Sequence, residues 1–174
     1  MIENTIYKSY ITTPIGELLA CVSSHGVCML DFYDNEQTEI ELDKLKKCFQ
    51  ASIVEEKTPL FLELEKQLKA YFSKEITEFN LPLDLRGTDF QQRVWESLLN
   101  IPYGKTISYK EQAITLGNIK GIRAVASANG MNPVAIIVPC HRVIGQNGSL
   151  IGYAGGLWRK KFLLELESNQ LILY

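Results

Sequence analysis

The chain has 174 residues, 46% of them hydrophobic and 22% charged, with a formal net charge of −2 and a pI of about 5.8. That is enough apolar material for one domain or two small ones, and no stretch approaches the roughly 18-residue apolar run of a membrane-crossing helix. Met1-Ile2-Glu3-Asn4 lacks the basic-then-apolar pattern of a signal peptide, and the cysteines Cys21, Cys28, Cys48 and Cys140 do not make a disulfide framework in a chain this long, which points to a reducing cytoplasm.

Residues 5–12 are rich in Ile, Tyr and Thr and read as a strand. Residues 17–22 and 27–33 read as two more, flanking the hairpin turn Ser23-Ser24-His25-Gly26. Helical spacing follows at Leu42, Leu45 and Phe49. Thr58-Pro59, a cap followed by proline at the first helical position, opens a helix with Phe61, Leu64, Leu68, Tyr71 and Phe72 on its apolar face. Leu81-Pro82-Leu83-Asp84-Leu85 reads as an extended linker, and the domain boundary is placed there.

The remainder reads as mostly helical. Thr88 and Gln91 form a capping-box pattern ahead of Phe90, Val94, Trp95 and Leu98. Ile101-Pro102-Tyr103-Gly104 breaks that helix. Ser108 and Glu111 form a second box; the short helix ends at Gly117 and another runs from about Asn118 to Ala128, a helix-turn-helix reading. Val134 to Val138 reads as a buried extended segment running into Pro139-Cys140-His141-Arg142. Asn147-Gly148 suggests a tight hairpin turn, and a last helix spans about Leu157 to Glu167 with Phe162, Leu163 and Leu166. The fold class is α+β: residues 1–85 as a small antiparallel sheet with helices, residues 86–174 as a helical domain.

The small net charge conceals a split. Residues 1–85 carry 8 Lys/Arg against 15 Asp/Glu, and residues 86–174 carry 10 against 5, so only the second half suits a polyanion. The second helix of the helix-turn-helix holds Ala124, Ala126, Ser127, Ala128, Asn129 and Gly130. Small side chains permit close approach to a nucleic-acid backbone and read few base edges, which fits binding without sequence preference. They serve tight helix packing equally well. The Pro139-Cys140-His141-Arg142 corner puts a thiol at the end of a rigid element beside an imidazole and a guanidinium. Nearby positive charge favours the thiolate, which is the nucleophile.

The run Asn132 to Val143 resembles the active-site motif of the O6-alkylguanine-DNA alkyltransferases, the methylated-DNA–protein-cysteine methyltransferases. The resemblance extends from about Arg86 to Glu167, through Phe90-Gln91-Gln92-Arg93-Val94-Trp95, Ile101 to Tyr109, Arg123-Ala124-Val125 and Gly152 to Leu157. It implies a ribonuclease-H-like first domain and an alkyltransferase domain that binds double-stranded DNA containing O6-alkylguanine. Cys140 then takes the alkyl group, once per molecule, as a thioether. His141 works through a water, oriented by Glu167, and Asn132 is a hinge between the helix-turn-helix and the cysteine segment. Tyr109 helps rotate the phosphate and donates a hydrogen bond to the guanine. Arg123 fills the gap left by the extruded nucleotide, and Ala124, Ala126, Ser127 and Asn129 share the DNA-facing helix. Val143, Tyr153, Ala154, Gly155 and Gly156 shape the pocket; many relatives carry Ser at the Ala154 position, so a hydroxyl donor is missing here. Arg142 has a structural or electrostatic part.

Cys21, His25 and Cys28 lie close in sequence, but three ligands on one hairpin leave a four-ligand structural site incomplete, and neither metal nor cofactor is expected. The expectation is a monomer in the cytoplasm without a membrane partner. Activity on O4-alkylthymine and the preferred alkyl size stay open. The rival readings are a non-catalytic lesion-binding or regulatory protein and a cysteine hydrolase, and alkyl transfer from methylated DNA separates all three.

Overall fold

Alternating apolar residues and tight turns build the first sheet. β1 (Asn4–Thr13), β2 (Gly16–Val22) and β3 (Val27–Phe32) are successive antiparallel neighbours, with Tyr7 opposite Val22 and Leu18 opposite Phe32. The turn between β2 and β3 closes where the Ser23 amide donates to the Gly26 carbonyl at 2.9 Å. α1 (Glu36–Phe49) then carries the chain across to β4 (Ala51–Glu55), which joins β1 in parallel and gives the order β3-β2-β1-β4. Parallel neighbours need such a crossover. The antiparallel expectation therefore holds for three strands and gives way to a parallel pair at one edge. The sequence reading missed β4, a five-residue strand too short to show a period.

The computed structural model describes residues 4–33 and 36–168, so the signal-peptide reading of Met1-Ile2-Glu3 lies outside the described residues. The chain divides into two compact units, Met1–Arg86 and Gly87–Tyr174. In the first, α1 lays Leu42, Leu45 and Phe49 on Ile6, Leu19, Cys21, Cys28 and Met29. The pleat sends Leu18, Ala20 and Val22 to the opposite face, where they too are buried. α2 (Pro59–Phe72) packs against β1 and β2, with Phe61, Leu64, Leu68 and Tyr71 buried. Residues 82–84 are tied to the start of β3: the Val27 amide donates to the Pro82 carbonyl at 2.8 Å and the Asp84 amide to the Val27 carbonyl at 2.9 Å.

The second unit is built by its caps. Both capping boxes form, with Gln91 N donating to Thr88 Oγ1 at 3.2 Å and Glu111 N to Ser108 Oγ at 3.1 Å; they open α3 (Asp89–Leu99) and α4 (Tyr109–Thr115). α5 (Ile122–Gly130) follows a 3-10 turn at Ile119–Gly121, so it starts later than the sequence spacing predicts. The indole N–H of buried Trp95 donates to the Ala128 carbonyl at 2.8 Å and pins α3 to α5. The last helix, α6 (Leu157–Glu167), has the predicted bounds.

Two elements depart from the sequence reading. Val134 to Val138 is buried, but it coils: the Val138 amide donates to the Val134 carbonyl at 3.0 Å, and Ile136 has φ 72°. An apolar run reports burial, and five buried side chains satisfy it in a turn as well as in a strand. The Asn147-Gly148 turn forms, with the Gly145 amide donating to the Ser149 carbonyl at 2.8 Å, yet no hairpin surrounds it. Instead β6 (Val143–Ile144) pairs in parallel with β5 (Ile107–Ser108). That pairing sets Tyr109, the first residue of α4, beside the segment that follows Cys140.

Replacing Trp95 by Phe keeps the ring packing and removes the indole donor. The expected loss is about 1 kcal/mol in urea denaturation, and an unchanged midpoint would show that this bond does not hold α5 in place.

Candidate active site

A single 3-10 turn, Cys140–Arg142, displays three side chains in different surroundings. Cys140 is partly exposed, whereas His141 and Arg142 are buried. Asn132 reaches across from the end of α5. Its Nδ2 donates to the Val138 carbonyl at 2.7 Å and to Cys140 Sγ at 3.3 Å, while its Oδ1 accepts from the Val134 amide at 3.0 Å. One side chain thus closes the coil of residues 133–138 and touches the thiol.

Glu167, buried near the end of α6, organises the other side. Arg142 grips it with both Nε at 2.9 Å and Nη2 at 3.0 Å, His141 Nε2 lies 2.8 Å from Oε1, and the Gly104 amide donates at 3.2 Å. Arg142 Nη1 donates to the Ile101 carbonyl at 2.6 Å. Gly104 has φ 70°, and a Cβ there would stand 2.8 Å from the Glu167 carbonyl oxygen, so this approach requires glycine. Burial works to raise the Glu167 pKa, but the donors on His141 and Arg142 outweigh it and hold the carboxyl at about 2. Burial pushes His141 below the usual histidine range, against the pull of Glu167. A neutral imidazole facing an ionised carboxylate carries its proton on the nitrogen that faces it, Nε2. Nδ1 is then the basic nitrogen, and among the described residues it is buried without a hydrogen-bond partner.

The sequence reading gave no role to Lys160. It is fully buried, and its Nζ donates to the carbonyls of Val143 at 2.6 Å, Ile151 at 2.7 Å and Gly152 at 3.1 Å. Burial pulls its pKa to about 8, with the nearby Cys140 acting in the opposite direction. A signal existed: Lys160, Leu163 and Glu167 form the buried stripe of α6, so an acid and a base both sit where the helix must face inward. The reading built on Phe162, Leu163 and Leu166 captured only Leu163 as fully buried.

Tyr109 Oη donates to the carbonyls of Ile151 at 3.0 Å and Gly152 at 3.2 Å, two of the groups that Lys160 holds. Burial and the neighbouring Cys140 both push the phenol pKa up, so the hydroxyl remains a donor. Tyr109 also lines a cavity of about 550 Å³, together with Arg123, Ala126, Ile151, Tyr153 and Ala154. Cys140 is outside that lining; Tyr109 connects the two.

The other expected residues divide. Arg123, Ala124 and Ser127 are exposed on α5 and Ala126 is half-buried. Asn129 is a correction. It is buried and paired with the Gln112 amide, so it does not belong to an outer face; Val125, Ala128 and Asn129 form the inward stripe of the helix. Of the expected pocket residues, Tyr153 and Ala154 line the cavity. Val143 is buried with its carbonyl on Lys160, the carbonyl of buried Gly155 accepts from Arg159, and Gly156 caps α6 at φ 90°; these three are outside the cavity lining. Among the described residues no group of three or more His, Cys, Asp or Glu side chains is arranged to hold a metal ion, and no helix is long and apolar enough to cross a membrane.

Residues 89–169 match the family model described as 6-O-methylguanine DNA methyltransferase, DNA binding domain, and residues 6–85 match its ribonuclease-like domain. The methylated-DNA–protein-cysteine methyltransferase of Methanosarcina barkeri is 46% identical over 167 residues, covering 95% of this chain and 99% of that protein. The Mycobacterium tuberculosis protein of the same name is 64% identical over 104 residues, covering 60% of this chain and 63% of that protein. The crystal structure of Mycobacterium tuberculosis OGT in complex with DNA is similar at a TM-score of 0.77 and 45% identity, over 94% of this chain and 92% of that one.

The Glu167 carboxyl, held at about 2 against an ordinary 4.5, contributes stability that is complete above pH 4.5 and is lost as the pH falls through 2. Glu167→Gln also leaves the Arg142 charge without its buried partner, at a cost of about 3–5 kcal/mol near neutrality. The gap between wild type and variant should narrow as the pH drops below 4.5. A gap in urea denaturation that stays constant down to pH 3 would mean that this carboxylate is not the stabilising charge.

Proposed function

The chain belongs to the 6-O-methylguanine DNA methyltransferase family, and from that premise we propose that Cys140 accepts an alkyl group from O6 of guanine in double-stranded DNA. The activity is that of a methylated-DNA–protein-cysteine methyltransferase, a DNA-binding repair protein that reverses damage directly. The observation that carries the site assignment is the hydrogen-bonded series Glu167–His141, with the basic Nδ1 of His141 unbonded and the amide of Asn132 on Cys140 Sγ.

In this reading the thiol proton passes to His141 Nδ1 through a water. The Glu167 carboxylate favours the imidazolium that forms, and Asn132 donates to the sulfur as its charge develops. The thiolate attacks the sp3 carbon on O6 in line. The S–C bond forms, the C–O6 bond breaks, and its electron pair stays on the guanine, which takes up a proton. Tyr109 supplies the donor that stabilises this leaving base. The product thioether has no acyl carbon for water to attack, so each chain acts once.

The target atom lies inside the duplex, and the base must leave the stack at a cost of about a few kcal/mol. Arg123, exposed on α5 and lining the cavity, is assigned to the vacated space. The exposed Ala124 and Ser127 and the half-buried Ala126 allow α5 to approach the groove closely. The excess of Lys and Arg in residues 86–174 supports affinity drawn from phosphates. The protein acts as a monomer in the cytoplasm within this reading. A non-catalytic lesion binder needs neither the Asn132–Cys140 contact nor the His141–Glu167 pair, and is not favoured.

Incubation with methylated DNA should add one methyl group per chain, found by peptide mass mapping at Cys140 and not at Cys21, Cys28 or Cys48. Cys140→Ala should abolish transfer and retain DNA affinity; multiple turnovers, or methyl on another cysteine, would sink the assignment. Arg123→Ala should slow transfer from duplex roughly 30- to 150-fold, the effect of losing about 2–3 kcal/mol, with little change towards free O6-alkylguanine base. Equal slowing on both substrates would remove Arg123 from the vacated stack.

A further inference from the structure

A second set of buried polar side chains lies inside the helix-turn-helix. Asn129 Nδ2 donates to Gln112 Oε1 at 2.6 Å, and Gln112 Nε2 donates back to Asn129 Oδ1 at 3.2 Å. Gln112 Nε2 also donates to Ser97 Oγ at 3.0 Å, and that hydroxyl donates to the Val94 carbonyl at 2.6 Å. Gln112 is 0% exposed and Asn129 4%. One buried point thus ties α3, α4 and α5. Neither amide touches the thiol or lines the cavity. Stability alone does not call for them, because replacing two bonded polar groups by apolar groups of the same shape is close to neutral.

What the amide pair adds is direction. Reciprocal hydrogen bonds fix the separation and the rotation of two helices, whereas apolar side chains tolerate sliding. The helices concerned are the ones the reaction needs. α4 begins at Tyr109, and α5 carries Arg123 and ends just past Asn129. The Asn129 carbonyl accepts from the Asn132 amide at 3.2 Å, and Asn132 donates to Cys140 Sγ at 3.3 Å. Hydrogen bonds therefore run from the helix of Tyr109, through the end of the helix of Arg123, to the nucleophile.

We propose that Gln112 and Asn129 are positioning residues for transfer on duplex DNA, setting the register between the helix that bears Arg123 and the turn that bears Cys140. A base extruded by one then arrives in line with the other. The proposal rests on the reading of Cys140 as the acceptor. In-line displacement is sensitive to placement, and an error of about 1 Å costs on the order of 100-fold in rate.

The test separates register from stability. Gln112→Met and Asn129→Leu, made singly, each strand one buried amide and should lower the urea midpoint. The double variant strands neither and should recover most of that loss. It should nonetheless transfer methyl from saturating duplex about 10- to 100-fold more slowly than wild type, with its reaction towards free O6-benzylguanine and its DNA affinity close to wild type. A duplex rate that returns together with stability would overturn the proposal. The exchange variant Gln112→Asn/Asn129→Gln keeps the amide pair and its total length, and should transfer from duplex faster than the apolar double; equal rates would also overturn it. Wild type that takes no methyl on Cys140 would sink the acceptor reading and this proposal with it. Wild-type transfer with a variant rate that merely tracks stability sinks the register alone.

Discussion

One buried carboxylate sets the geometry of the second unit. Glu167 receives donors from His141, from both Arg142 nitrogens and from the Gly104 amide. A charge this deep is tolerated only when its oxygens are filled by well-placed donors, so α6, the 140–142 turn and the break after α3 are fixed together. The glycine at 104 follows from the same demand, since a side chain there would meet the Glu167 backbone. The chemistry follows as well. A carboxylate held ionised keeps the imidazole proton on Nε2 and directs the basic lone pair of His141 away from itself.

Lys160 sets the opposite wall of the site. Its ammonium gathers the carbonyls of Val143, Ile151 and Gly152, drawing the end of the 145–152 loop back to β6. Tyr109 bonds two of the same carbonyls. Because Lys160 donates to both as well, each carbonyl keeps a partner if the phenol donates elsewhere. α6 therefore carries, on one inward stripe, a carboxylate for the 140–142 turn and an ammonium for the carbonyls of Val143, Ile151 and Gly152.

Much of this was legible from residue types. The two capping boxes, the proline that opens α2, the bounds of α6 and the three antiparallel strands each rest on local chemistry, which acts the same way in any context. The Pro139-Cys140-His141-Arg142 corner was legible in the same way as a tight turn that displays a thiol, an imidazole and a guanidinium together. What stayed hidden depends on distant partners. Val134 to Val138 showed burial and not shape, because its coil is held by Asn132 from outside the run. Lys160 looked like one more helix charge until its position on the stripe with Leu163 and Glu167 is weighed. Asn129 was assigned outward together with the small residues around it, although its place with Val125 and Ala128 turns it inward. In both helices the position of a polar residue was a better guide than its type.

Asn129 also clarifies how the helix-turn-helix divides its labour. A protein that repairs a lesion wherever it occurs gains nothing from reading the neighbouring bases, and under the proposed function α5 then needs an outer face that approaches DNA closely without specifying it. Ala124 and Ser127 are exposed there, and Arg123 at its start supplies a charge beside the cavity. Polar side chains with directional demands would read base edges from that face. Here two such residues, Asn129 and Gln112, are turned inward and spend their hydrogen bonds on each other. In the proposed reading, discrimination then passes from the helix to the fit of an extruded base against the thiol that Asn132 contacts.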